Sequence, residues 1–163
     1  MPTDIESLIA TIEAQEAELQ FASFSNDEAL ELGLLLVRMA RERGAAVAID
    51  ISRGSQRLFH YAFAGTSADN DAWIERKKAV VARFGRSSFL IGRRLERDGL
   101  GIAEKFFVDP REYSPHGGAV PIILRGTGPV GVVAVSGLPQ AEDHELVVAA
   151  LRAYLQAATP LRG

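Results

Sequence analysis

His116-Gly117-Gly118-Ala119-Val120-Pro121-Ile122-Ile123-Leu124-Arg125-Gly126-Thr127-Gly128-Pro129-Val130-Gly131-Val132-Val133-Ala134-Val135-Ser136-Gly137 consists of two apolar runs folded about a glycine-rich tip, Arg125 to Gly128. Runs of this length joined by so short a turn pair antiparallel, and residues equidistant from the tip become neighbours, which predicts Gly118 opposite Ser136. The chain then continues through Leu138-Pro139-Gln140-Ala141-Glu142-Asp143-His144 into a helical pattern. Two of the three histidines, His116 and His144, together with Ser136, two glycine turns and a helix start, are thereby expected at one end of a sheet. That convergence predicts a site before it predicts a reaction.

Working outward in both directions, the other elements follow from periodicity and punctuation. Thr3-Asp4-Ile5-Glu6 is a capping box ahead of Leu8, Ile9 and Ile12 at helical spacing, and Ser25-Asn26-Asp27-Glu28 opens a second helix that ends near Gly44. Ala46 to Ile51 and Arg57 to Phe63 read as a hairpin joined through Ser52-Arg53-Gly54-Ser55. After a polar loop, Gly65 to Asn70, a third helix carries Trp73, Ile74, Val80, Val81 and Phe84. A fourth starts at Ser87 or Ser88 and carries Leu90, Ile91 and Leu95. Asp109-Pro110-Arg111-Glu112 predicts one helical turn, and Ala141 to about Ala158 a last helix. The order α-α-β-β-α-α-β-β-α predicts an α/β (α+β) fold, an antiparallel sheet with helices packed on its faces, as one domain over residues 1–163.

Bulk properties narrow the function classes. The chain of 163 residues has no cysteine, which excludes disulfides and thiolate chemistry. Met1 to Gln20 carries acids and no lysine or arginine, unlike a signal peptide, and no apolar stretch reaches the length of a membrane span, so a soluble cytoplasmic protein with no membrane partner is expected. Charge is segregated along the chain. Residues 1–31 hold acids and no base, whereas residues 76–97 hold Arg76, Lys77, Lys78, Arg83, Arg86, Arg93, Arg94 and Arg97 against Glu96 alone. Solvated helix faces, or complementarity within one chain or between copies, account for this pattern. Nucleic acid is not expected, because the net charge is -3 and aromatics are scarce in the basic stretch.

Several motifs compete for chemistry. Gly126-Thr127-Gly128-Pro129-Val130-Gly131 matches a dinucleotide fingerprint literally, yet it joins two strands rather than a strand and a helix, so it reads as a hairpin turn. Ser136 lacks the flanking glycines of a nucleophile elbow. A Ser136, His116, Asp143 triad and a two-histidine, one-carboxylate metal site of His116, His144 and Asp143 stand beside the simpler reading, histidines that brace loops. His60 reads as a half-buried strand histidine. The stronger physical case concerns anions: the helix start near Ala141 exposes backbone N–H groups, Gly117, Gly118 and Gly137 allow close backbone approach, and Arg86, Ser87 and Ser88 could face the same cleft. Equally, Glu142 and Asp143 could occupy those donors themselves.

At these residues the chain resembles a known family. Phe84-Gly85-Arg86-Ser87-Ser88, His116-Gly117-Gly118 with Pro121-Ile122, and Gly131 to Gln140 with Asp143-His144 resemble the haem-degrading-domain family of GlcG-like and HbpS-like proteins, most closely a largely uncharacterised bacterial and fungal branch. The similarity extends to Asp69-Asn70-Asp71-Ala72-Trp73 and Ala48-Ile49-Asp50-Ile51. It implies a profilin-like α/β/α sandwich, homo-oligomerisation, and haem as a candidate cofactor. Three functional expectations follow: a module binding a small anionic ligand, haem among the candidates, at the His116, Gly117, Gly118, Ser136, Gly137, Asp143, His144 cleft; an enzyme degrading haem or hydrolysing with a metal; or a structural oligomer whose acidic first helix docks on another copy's basic helices.

Overall fold

The computed structural model describes residues 3–158. The elements are α1 (Asp4–Glu18), β1 (Gln20–Phe21), α2 (Asn26–Glu42), β2 (Ala48–Arg53), β3 (Gln56–Ala62), α3 (Ala68–Phe84), α4 (Ser88–Asp98), α5 (Ile102–Phe106), β4 (Ala119–Leu124), β5 (Gly128–Ser136) and α6 (Gln140–Ala158). Helix starts sit where side-chain oxygens can satisfy orphan N–H groups. Thr3 and Glu6 form the capping box of α1, and Ser25 and Ser87 accept from the third backbone N–H of α2 and α4. Ser67 and Asn70 form a further capping box, which starts α3 at Ala68, inside the stretch expected to be loop. A Ser-x-x-Asn box lacks the Glu or Gln of the usual signature.

The sheet order is β1-β4-β5-β2-β3. Three of its four pairings are antiparallel, as expected. The sheet is nonetheless mixed, because β1 pairs parallel with β4 through Gln20 opposite Ile123 and Phe21 opposite Leu124. Two residues are too few to show a period of two, so this strand is decided by packing: Phe21 is fully buried, edge-on to Phe24 and stacked with Tyr154. The β4 and β5 register shifts between Ile122 and Ile123, where Val130 is the extra residue on β5. Beside it Pro129 has no N–H for the ladder. The turn is centred on Gly126 rather than Thr127, since Leu124 pairs with Gly128, and with the one-residue slip Gly118 faces Val135, whose N–H donates to the Gly118 carbonyl at 2.9 Å, rather than Ser136. Asp109 to Glu112 forms a hydrogen-bonded turn, and the short helix lies earlier, at α5.

Alternation along the strands sorts side chains by size. Ile49, Ile51, Val120, Ile122, Val133 and Val135 face α2 and α6 in the main core, whereas Ala48, Ala119 and Ala134 face Ile74 and Val81 of α3. The result is a mixed α/β/α sandwich of the profilin-like kind. Each fully buried Ile or Leu contributes roughly 1.5–3 kcal/mol, so the branched face carries most of the burial, and the alanine face lets α3 lie close to β5. On that close-packed side the functional residues collect.

Candidate functional site

On α3, Ile74, Lys77 and Val81 recur at helical spacing, so a lysine occupies a core position and is only 4% exposed. Its Nζ donates to the Val135 carbonyl at 3.2 Å and to Asp143 Oδ2 at 3.2 Å. The Asp143 carboxylate, 1% exposed, accepts at Oδ1 from the Leu138 N–H at 3.0 Å, so it also closes the turn into α6. Burial raises Asp143 to about 6, against the pull of Lys77 and the Leu138 and Gly137 amides. Burial likewise lowers Lys77 from its ordinary value, with Asp143 opposing. An ion pair this dry persists only with such added hydrogen bonds.

Above the pair opens a pocket of about 320 Å³, lined by Asp69, Asn70, Trp73, Lys77, His116, Ser136, Gly137, Leu138, Gln140 and Asp143. Asn70 Nδ2 donates to Ser136 Oγ at 3.4 Å. At the rim, His116 Nδ1 lies 2.8 Å from Ser114 Oγ, and its ring meets Trp73 edge-on with centroids 5.8 Å apart. Partial burial, then Lys77 and Arg93, lower the His116 pKa and favour the neutral imidazole. The Arg76 guanidinium lies 4.4 Å from the Trp73 ring centroid, which holds the indole at the mouth.

Of the residues expected at the cleft, His116, Ser136, Gly137 and Asp143 line this pocket together. Gly117 and Gly118 sit behind it and make room for the protein itself. A Cβ at 117 would meet Gln140 O at 2.2 Å, and one at 118, where φ is +135°, would meet Val135 O at 2.5 Å and Lys77 Nζ at 2.8 Å. The remaining expected residues lie elsewhere. His144 is 4% exposed, with Nε2 2.8 Å from Gln15 Oε1 and its ring 4.9 Å from Phe89, and burial holds its pKa down at about 4. Ser87 caps α4, and Ser88 Oγ clamps both backbone groups of Ala119, accepting from its N–H at 3.1 Å and donating to its carbonyl at 3.3 Å. Arg86 faces Glu16, whose Oε1 is 3.6 Å from Arg86 Nε. The anion expected at the start of α4 is thus the chain's own Glu16, just as Asp143 serves the start of α6.

These placements remove two expected reactions. Ser136 engages Asn70 and His116 engages Ser114, so no Ser-His relay forms, and with His144 turned to Gln15 the described residues contain no group of three His, Cys, Asp or Glu side chains able to hold a metal ion. The basic run is likewise no free patch: Lys77 pairs with Asp143, Lys78 with Asp50, Arg86 with Glu16 and Arg94 with Glu13. Within the chain, the acidic first helix packs on the basic α4. The turn Gly126 to Gly128 does join two strands, as its spacing predicts. His60 is more exposed than expected, 2.7 Å from Asp71. Lys77, Asn70, Trp73 and Gln140 were not anticipated. The legible sign was Lys77 in line with Ile74 and Val81, a charge where an apolar residue belongs.

With this geometry in hand, comparison with known proteins gives a consistent picture. Residues 24–152 match the family model described as haem degrading protein HbpS-like. A UPF0303 protein of Streptomyces coelicolor is 52% identical over 147 residues, 90% of this chain and 93% of the relative, and one of Azotobacter vinelandii is 44% identical over 153 residues, 94% and 92%. Among solved structures, the Ybr137w protein superposes with a TM-score of 0.85 at 37% identity, covering 91% of this chain and 89% of its own. HbpS, at 18% identity, has a TM-score of 0.64 over 83% and 92%. PduOC, solved as a complex with haem, is 13% identical with a TM-score of 0.67 over 80% and 94%; these last two likenesses are of fold.

Proposed function

Because the chain belongs to the HbpS-like family of haem-degrading proteins, we propose that it is a binding module whose pocket between α3, β5 and the start of α6 takes a small anionic ligand. The observation that carries this reading is Lys77. An ammonium has three N–H donors, and two are spent on Val135 and Asp143, leaving the third without an acceptor among the described residues beside the pocket. Ser136, Asn70 and Gln140 line the same pocket and supply neutral donors that orient an oxyanion. Burial makes each such bond worth more than it would be in water. The Lys77 and Asp143 charges cancel, so affinity rests on directed hydrogen bonds rather than on net positive charge.

A second reading places haem against the pocket mouth. The residues fit this in one respect: Ser114 engages His116 Nδ1, and Nε2, which has no hydrogen bond among the described residues, would be free to ligate the iron. His116 and Trp73 at the rim would hold the group, and Lys77 would offer a donor to its carboxylates. When bound, haem supplies an iron centre; the chain holds the imidazole neutral and fixes its orientation through Ser114. Self-association is part of the same reading, supported by Leu30, Leu34 and Tyr61, which stay exposed on α2 and on the edge strand β3.

Amide NMR during titration with lactate tests the first reading, and haemin absorbance tests the second. Lactate should shift the Ser136 to Leu138 amides saturably, with the response lost in Ser136→Val. Haemin should give a Soret band weakened by His116→Ala and unaffected by Ser136→Val. No lactate shift removes the anion pocket, and a Soret band unchanged in His116→Ala removes His116 as an iron ligand.

A further inference from the structure

Lys77 is one of three lysines in the chain, with Lys78 and Lys105, and it alone is buried in the core and lines a pocket. The protein makes space for its amine: residue 118 is a glycine at φ +135°, and a Cβ there would come within 2.8 Å of Nζ. A carboxylate lies 3.2 Å from the same nitrogen. An amine beside a small polar pocket, with a proton carrier in hydrogen-bond contact, is the arrangement that imine chemistry requires. Structural pairing alone does not require the nitrogen to line a cavity.

We propose that Lys77 forms a reversible imine with a small 2-oxo acid, its Nζ bonding to the ligand's carbonyl carbon while the ligand carboxylate is held by Ser136 and Asn70. This rests on the anion-pocket reading above. Lys77 first passes a proton to Asp143, and the neutral amine adds to the carbonyl carbon while Asp143 protonates the carbonyl oxygen, giving a carbinolamine protonated at nitrogen. Asp143 then takes a second proton from that nitrogen and returns it to the hydroxyl, which leaves as water while the nitrogen lone pair forms the double bond of a protonated imine, with Asp143 ionised again. No oxidant or reductant is consumed, and hydrolysis reverses each step. Burial favours the sequence, because it holds Lys77 low enough to surrender its proton and Asp143 near neutrality, where it can both accept and donate one.

Incubating the intact protein with pyruvate and cyanoborohydride, followed by mass spectrometry and peptide mapping, tests the imine. The expected product is a single adduct heavier by one pyruvic acid less one oxygen atom, placed on Lys77 and absent from Lys78 and Lys105. Asp143→Asn should slow its formation at least about tenfold, the scale of a lost proton-transfer group, and Lys77→Arg should abolish it. If either variant fails to fold, the position of the adduct in the unmodified chain still decides. Equal labelling of all three lysines overturns the proposal, since that is surface amine chemistry. Saturable amide shifts with both lactate and pyruvate but no adduct overturn the imine and leave the anion pocket standing. Neither shifts nor adduct overturn both.

Discussion

At the scale of single residues, the site depends on where a side chain is missing as much as on where one is present. Gly118 has a φ that L side chains rarely adopt, and the space its Cβ would take is filled by a backbone carbonyl and by the Lys77 amine. Backbone cannot move aside cheaply. Gly118→Ala should therefore cost on the order of 2–4 kcal/mol, from the left-handed backbone and the clash together, read as a lower urea midpoint at an unchanged m-value. A loss under about 0.5 kcal/mol would mean that β4 and β5 do not approach at this point as described. The same residue shows how a sequence can mislead about purpose. A glycine pair beside a histidine reads as a place for a ligand to approach backbone, whereas here the glycines admit Gln140, Val135 and Lys77.

At the scale of elements, the first turn of α6 holds two adjacent buried groups whose titrations oppose each other. Asp143 is about 6 in the folded chain against 3.8 for a free aspartate, so between these values the native state binds the extra proton and stability falls as pH rises. His144 is about 4 against 6.5, so over its window the unfolded chain binds the extra proton and stability rises with pH. Glu16, also raised by burial, adds to the Asp143 direction. Comparing urea midpoints at pH 4.5 and 6 should thus show a more negative change in His144→Gln than in the unmodified chain, and a more positive one in Asp143→Asn. Identical pH dependence in all three would mean that neither group is buried as described. Element boundaries were legible where a cap carried its usual residues, as at Thr3, Ser25 and Ser87, and illegible at the Ser67 and Asn70 box and at β1, whose two residues carry no period.

For the whole molecule, the segregated charges of the chain are settled internally. Helix α1 packs Ile9 and Ile12 against Phe89 and Leu90 of α4, and its flank pairs Glu13 with Arg94 and Glu16 with Arg86, while Glu18 reaches Arg152 on α6. Exposed pairs of this kind contribute at most about 1 kcal/mol each, so the apolar contact of Ile9 and Ile12 holds the helix down. These internal pairs predict that any association between copies does not depend on the same charges. Light scattering at low and at near-molar salt should give the same mass, since the large apolar or aromatic side chains that stay exposed, Leu30, Leu34, Tyr61, Leu100 and Phe107 among them, offer contacts that salt does not screen. Dissociation on adding salt would show that pairing between chains competes with pairing inside one.

What the amino-acid sequence determined by itself was local and periodic: five of the six helices, the two hairpins, the glycine turn that imitates a dinucleotide loop, and the sheet end at which His116, Ser136 and Asp143 meet. Those features depend on residues close together in the chain, where backbone geometry and side-chain spacing leave few alternatives. Tertiary structure alone decided which charges face each other. Lys77 finds Asp143 across 66 positions, His144 turns to Gln15 across 129, and Glu16 takes the helix start expected to hold a ligand. Burial sets those partnerships, and burial is a property of the packed layers, not of any short stretch of sequence.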